Sequence, residues 1–263
     1  MRKKLLVALG LSAVLALAVV TIANAASTTI RVGDLVVTFG GTVSPKKISK
    51  KKYTPVKANI FGKIKTSDGT HPSAFRETVV DIDKDIKVDV KGFPVCKSGQ
   101  LQAQDTKAAK KVCGKAILGE GKADAEIAFP EQRPILVHSP LLVFNGGKKG
   151  GKTLLLIHTF ITVPVPAAIV TTVTIAKKGS GLHSIAKIPV IVGGSGSAVA
   201  FNFKLGKKYT YKGKKMSFSE ARCPDGVFKV NATALFRNEA NVAGVAPTTT
   251  AKGKVGVPCT PKG

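Results

Sequence analysis

The sequence predicts an all-β protein, an antiparallel β-sandwich of immunoglobulin-like or jelly-roll-like type with one short disulfide-stapled helix. Three observations predict it. Short runs of alternating or β-branched residues recur along the chain, with Gly, Pro or Lys between them. Helical periodicity is almost absent, and at 44% hydrophobic residues over 263 positions the chain has enough apolar surface for a core. Four cysteines follow what reads as an export signal, so they belong to an oxidising compartment.

Met1 to Ala25 carries that signal. Arg2, Lys3 and Lys4 form a positive start, Leu5 to Val20 an apolar stretch, and Ala23-Asn24-Ala25 a small-x-small cleavage site. Its removal would leave residues 26–263 as one β-sandwich domain with a disulfide-closed C-terminal hairpin, with a possible subdivision at 129–134. The expected location is the extracellular space or the cell envelope.

Strands are predicted at Thr28–Val32, Leu35–Phe39, Val56–Thr66, Val79–Ile82 and Ile86–Val90. Asp105 then reads as the N-cap of a helix running from Thr106 to Val112, with Gly114 as the residue that ends it. Lys110 and Lys111 in its last turn suit the helix dipole. Local spacing favours Cys96–Cys113, which staples this helix to a strand end, and Cys223–Cys259. The chain has no Cys-x-x-Cys pair, which argues against a four-cysteine metal site.

Further strands follow at Ala116–Phe129, Leu136–Asn145 and Thr153–Val163, then Ile169–Ala176, Ser184–Ile188, Val199–Leu205, Val227–Leu235 and Thr248–Val257. The apolar run Leu154 to Ile175 is long enough to span a membrane. Pro164, Pro166, His158 and five threonines instead make it two buried strands, so no transmembrane span is expected once the signal is gone.

Two patterns imitate catalytic motifs. Gly146-Gly147-Lys148-Lys149-Gly150-Gly151-Lys152-Thr153 matches a phosphate-binding P-loop, which must open a helix. A strand-like segment follows, so a glycine-rich hairpin tip is the better reading. Gly193-Gly194-Ser195-Gly196-Ser197 falls one glycine short of a nucleophile elbow. The four histidines are scattered, with no metal-ligand spacing, and no cofactor is expected.

The acids concentrate between Asp68 and Asp89. Asp81, Asp83 and Asp85 would share one strand face, since side chains alternate, with Glu77 and His71 close by. Glu77, Asp81, Asp83 and His71 are therefore the weak catalytic candidates. The function they would serve is that of a secreted hydrolase or metal-dependent enzyme built on the acidic stretch Glu77 to Asp85.

The positive signal is lysine. The chain has 41 Lys and Arg against 15 Asp and Glu, a formal charge of +26, and only six of the cations are Arg. Lys46, Lys47, Lys50, Lys51 and Lys52 form one group with Tyr53. Lys207, Lys208, Lys212, Lys214 and Lys215 form another, with Tyr209 and Tyr211. Lysine is a point charge without a fixed fork, which suits an anionic surface better than one particular phosphate pattern. The expected partner is an anionic extracellular polymer, namely a wall polymer, an acidic glycan or an anionic lipid surface, and not a specific nucleic acid. The leading expectation is thus an exported, strongly basic structural or binding protein, with the acid-based enzyme as its alternative.

Several segments together carry a resemblance. They are Phe61-Gly62-Lys63-Ile64, Asp68-Gly69-Thr70-His71-Pro72-Ser73-Ala74, Arg76-Glu77-Thr78-Val79-Val80-Asp81 and Val143-Phe144-Asn145-Gly146-Gly147. With them come Gly193 to Ser197, Tyr209 to Lys215 and the closing Cys259-Thr260-Pro261-Lys262-Gly263. The chain resembles uncharacterised secreted β-rich proteins of soil actinobacteria. That resemblance implies an exported life, and no activity, cofactor or site residue.

Overall fold

A computed structural model describes residues 26–239 and 245–263. The signal reading at residues 1–25 lies outside the described residues.

In chain order the strands are β1 (Ser27–Val32), β2 (Leu35–Ser44), β3 (Lys47–Ser49), β4 (Thr54–Pro55), β5 (Lys57–Thr66), β6 (Ala74–Ile82) and β7 (Ile86–Val88). After helix α1 (Thr106–Cys113) come β8 (Ile117–Ile127), β9 (Ile135–Lys149), β10 (Lys152–Ile161), β11 (Ala167–Lys178), β12 (Gly181–Lys187) and β13 (Gly196–Leu205). The last are β14 (Lys208–Tyr211), β15 (Lys214–Ser217), β16 (Ser219–Ala221), β17 (Val227–Arg237), β18 (Thr248–Pro258) and β19 (Thr260–Lys262). Each predicted strand has an observed counterpart. The short pieces β3, β4, β14, β15, β16 and β19 were not foreseen.

All-β, antiparallel architecture is therefore present, but its layering differs from a sandwich of two sheets. Twelve strands form one continuous antiparallel sheet in the order β1-β2-β5-β13-β8-β9-β10-β11-β12-β6-β17-β18. The sheet curls until its two edge strands meet, nearly closing into a barrel. A Cβ placed on Gly253 of β18 would run into Ile30 of β1 and Phe39 of β2. Closure removes most of the exposed edge that an open sheet would offer to other chains.

Inward positions along the strands are mainly apolar and outward ones mainly polar, as a period of two allows, except on β9 and β10, which turn Leu142, Phe144 and Leu156 outward beneath the segment that carries α1. Strand β17 points Phe228, Val230, Ala232, Ala234 and Phe236 inward, and leaves Lys229, Asn231 and Arg237 exposed outside. This is the reverse of a barrel that faces lipid outside and water inside. The segment 129–134 joins β8 to β9, which are neighbours in the sheet.

Both ends are filled. At the end where β2 stops and β5 starts, called upper here, Val90, Phe93 and Phe218 pack onto Leu118, Leu141, Val143, Leu155 and Phe203. At the lower end Phe75 stacks on Phe236 with ring centroids 5.3 Å apart. There Ser197 Oγ accepts from the Phe75 amide (3.4 Å) and donates to the Ser73 carbonyl (3.1 Å), tying β13 to β6 across the barrel. Arg76, only 8% exposed, pairs with Glu239 at the same end.

Cys96 is bonded to Cys113 and Cys223 to Cys259. The first bridge fixes α1 against the outer face of β9 and β10, where Leu101 and Ala109 meet Leu142, Phe144 and Leu156. Asp105 caps the helix, its carboxylate accepting from the Ala108 amide at 2.7 Å. Gly114 corrects one detail. Its φ of −54° is right-handed, and the chain continues into a 3-10 turn at Gly114–Ala116 instead of stopping there. The second bridge closes the β17–β18 hairpin, as expected.

Candidate functional site

The wall strands alternate in direction, so every second connection lies at the upper end. Residues 45–56, 83–116 and 206–226, the hairpin tips 150–151 and 179–180, and the chain after β18 all gather there. The two lysine groups, far apart in sequence, thereby crown the same end. β5 makes this adjacency direct, since it pairs with β2 on one side and with β13 on the other.

Local structure turns the lysines outward. In 45–56, β3 pairs in parallel with β19 and buries Ile48, which is 1% exposed, while Lys46, Lys47, Lys50, Lys51 and Lys52 are exposed. Ser49 Oγ accepts from the amides of Lys51 (3.3 Å) and Lys52 (3.0 Å), fixing that turn. In 206–226, β14 and β15 form a hairpin whose exposed residues include Lys207, Lys208, Lys212, Lys214 and Lys215. None of these ten lysines forms an ion pair among the described residues. Lys148, Lys149, Lys152 and Lys177 add exposed charge at the neighbouring tips. The lower connections contain a single Lys or Arg, Arg133, beside His71, Asp34, Asp68, Glu131 and Glu239. The molecule thus has one strongly positive end, and its field is directional.

The three tyrosines do a different job from open stacking. Tyr53 donates to the Lys84 carbonyl at 3.3 Å, and its ring carries Lys87 Nζ 3.6 Å from the centroid, with Arg222 at 5.3 Å. Tyr209 donates to the Lys91 carbonyl at 2.9 Å and meets Phe93 edge-on; burial pushes its hydroxyl above the ordinary value. Tyr211 packs against Gly92, where a Cβ would overlap its ring. All three fasten the lysine loops to the segment 84–93.

The acidic row is not assembled as expected. β6 ends at Ile82, and the chain turns, because Asp83 Oδ1 accepts the Asp85 amide at 2.9 Å and Asp83 Oδ2 the Lys229 amide at 2.9 Å. Asp85 is buried against Arg222, with Nε 2.6 Å from its carboxylate. Asp81 stays on the outer wall, held below its ordinary pKa by His183 (2.6 Å) and Lys178 (3.1 Å). Glu77 faces out from β6 opposite Lys187. His71 lies at the far, lower end, 2.8 Å from Glu126. Side-chain alternation fails here because the strand stops before the second carboxylate. No group of three or more His, Cys, Asp or Glu suited to a metal occurs among the described residues.

The P-loop pattern is a hairpin tip. Gly150 and Gly151 sit between β9 and β10 with φ of 56° and 74°, the left-handed pair that a two-residue turn demands. Gly193 and Gly194 form part of a 3-10 turn at Val192–Gly194.

Between its two end plugs the barrel is hollow. The space measures about 400 Å³ and is lined almost wholly by carbon, with Thr78, Thr159, Thr171 and Ser184 supplying scattered hydroxyls. Sequence reasoning missed it. Its signal was the set of small inward residues at strand centres, Ala123, Ala186 and Ala232. No protein family, curated protein or solved structure matches the chain.

Proposed function

We propose that this is an exported structural or binding protein of the cell envelope or its surroundings, which holds anionic polymers with the upper end of its barrel. One observation carries the reading: ten exposed lysines from two distant segments share one end, and none has a carboxylate partner among the described residues. Charges neutralised within the protein would contribute solubility and little binding. Unpaired lysines instead remain free to neutralise a polyanion, and the cations condensed on that polymer are released on binding. Spacing over several loops favours a repeated anionic surface, such as a wall polymer, an acidic glycan or an anionic lipid face, over a single small anion.

The test is binding to isolated bacterial wall, acidic polysaccharide and anionic vesicles across a salt series. The variant with Lys46, Lys47, Lys50, Lys51 and Lys52 changed to Glu runs beside the parent. Each neutralised anionic group contributes about 0.7–0.9 to the slope of log affinity on log salt, so losing five contacts flattens it by up to about 4.5. Binding that ignores salt, or ignores these substitutions, overturns the reading.

A further inference from the structure

We infer that the hollow of the barrel is a binding site for a single uncharged hydrocarbon chain, of the kind carried by acyl or isoprenoid lipids. The inference stands on the interior alone and does not depend on the lysine end.

Protein interiors are packed almost without voids, and those that exist are rarely larger than a water molecule. Here about 400 Å³ is open inside the wall, within the range of about 300–1,000 Å³ typical of ligand pockets. The space is built by residue size. Strand β17 carries Phe228 and Phe236 at its two ends, both fully buried, with the smaller Val230, Ala232 and Ala234 between them only partly buried although they face inward. Ala123 on β8 and Ala186 on β12 repeat the pattern from other parts of the wall, and they too are only partly buried. Large side chains close the ends and small ones leave the middle empty.

Chemistry then selects the occupant. Apolar cavities stay dry and accept apolar guests, because water would find too few partners. The one acid on this wall, Asp124, is engaged by His138 at 2.7 Å, and that histidine is itself exposed. A charged group placed inside would lose its hydration without a counter-charge. A hydrocarbon chain loses nothing, and the isolated hydroxyls of Thr78 and Thr159 can meet a hydroxyl or ester oxygen.

The experiment titrates the full protein with N-phenyl-1-naphthylamine, an uncharged fluorescent probe. It is run at about 1 M salt, where surface attraction is screened to about 3 Å. Failure here therefore leaves the lysine reading untouched, and failure of that reading leaves this one. The probe is then displaced by straight-chain alcohols of graded length and by farnesol and geranylgeraniol. The expected result is one probe per chain, displaced with affinity rising about four-fold per methylene until the hollow is full. The better competitor series identifies the acyl or the isoprenoid source. Ala232→Phe and Ala123→Leu, which fill the space from two walls, weaken probe binding by about ten-fold while the protein still unfolds cooperatively on heating. Thr233→Leu, on the outward side of β17, leaves binding unchanged. No probe binding, displacement by neither series, or parent-like affinity in both folded filling variants would overturn the inference.

Discussion

Changing Cys223 and Cys259 together to alanine removes the bridge that closes the β17–β18 hairpin, and its cost follows from where the cysteines lie. They are 36 residues apart, against 17 for Cys96 and Cys113. Loop-closure entropy then assigns about 4 kcal/mol to the Cys223–Cys259 bridge and about 3 kcal/mol to the Cys96–Cys113 bridge, a difference of about 0.7 kcal/mol. Packing widens that gap. Cys223 and Cys259 sit in a buried cluster with Ile48, Val56, Phe228, Val255 and Val257. The bridge also anchors the first lysine loop: the Cys223 amide donates to the Ser49 carbonyl (2.8 Å), the Thr260 amide to Lys46 (2.8 Å) and the Lys50 amide to Lys262 (2.9 Å). The double variant should therefore lose more stability than Cys96→Ala/Cys113→Ala. It should also expose the Lys50 and Thr260 amides to hydrogen exchange ahead of the rest of the sheet. Urea unfolding of both double variants, with exchange read residue by residue, checks this. A loss below about 1 kcal/mol, or a larger loss from the helix bridge, would refute the reasoning, because chain closure would then not dominate.

Two further outcomes are expected. Gly121→Ala should cost about 3 kcal/mol or more, since the new methyl would overlap the Asn202 carbonyl and Phe203 of the neighbouring strand, whereas Gly99→Ala meets nothing and should be near neutral; thermal unfolding of the pair decides it. His158 is fully buried on the outer face of β10 under the segment before α1, with its Nε2–H donating to the Gln104 carbonyl at 2.9 Å and its Nδ1 unpartnered. Burial holds its pKa below 6.5, against smaller upward effects of the Gln104 bond and of Asp105, so the unfolded chain takes up a proton first as pH falls. Stability from the neutral ring is present above about pH 6.5 and declines below it. His158→Gln keeps the donor and should lose less melting temperature than the parent between about pH 7.5 and pH 5; parallel curves would sink the assignment.

Much of the local structure was legible because it depends on neighbours in sequence. Alternation of apolar and polar residues placed the strands, Asp105 placed the helix start, and the strand-like segment after Thr153 separated a hairpin tip from a P-loop. The proline-broken run Leu154 to Ile175 resolved into β10 and β11, and no helix among the described residues is long and apolar enough to cross a membrane. The lysine crown was nearly legible as well. Strands alternate up and down, so a correct count assigns each connection to an end. The segment Ile86–Val90 spoiled that count, because it reads as another wall strand. In the structure Ile86–Val88 leaves the wall and pairs with β16 in a small separate sheet. One strand too many inverts the assignment of every later loop.

The sequence by itself determined where the twelve wall strands lie and how much positive charge the chain carries, and it favoured the two cysteine pairings that the structure shows. Only the tertiary structure decided that twelve strands share one nearly closed sheet, that β5 lies between β2 and β13, that both lysine groups crown one end, and that the barrel centre is hollow. The physical reason is common to all four. Side-chain alternation says which way a residue points but not which distant strand it will face. Neighbour choice, register and the width of the interior are set by hydrogen bonds and packing between segments far apart in the chain.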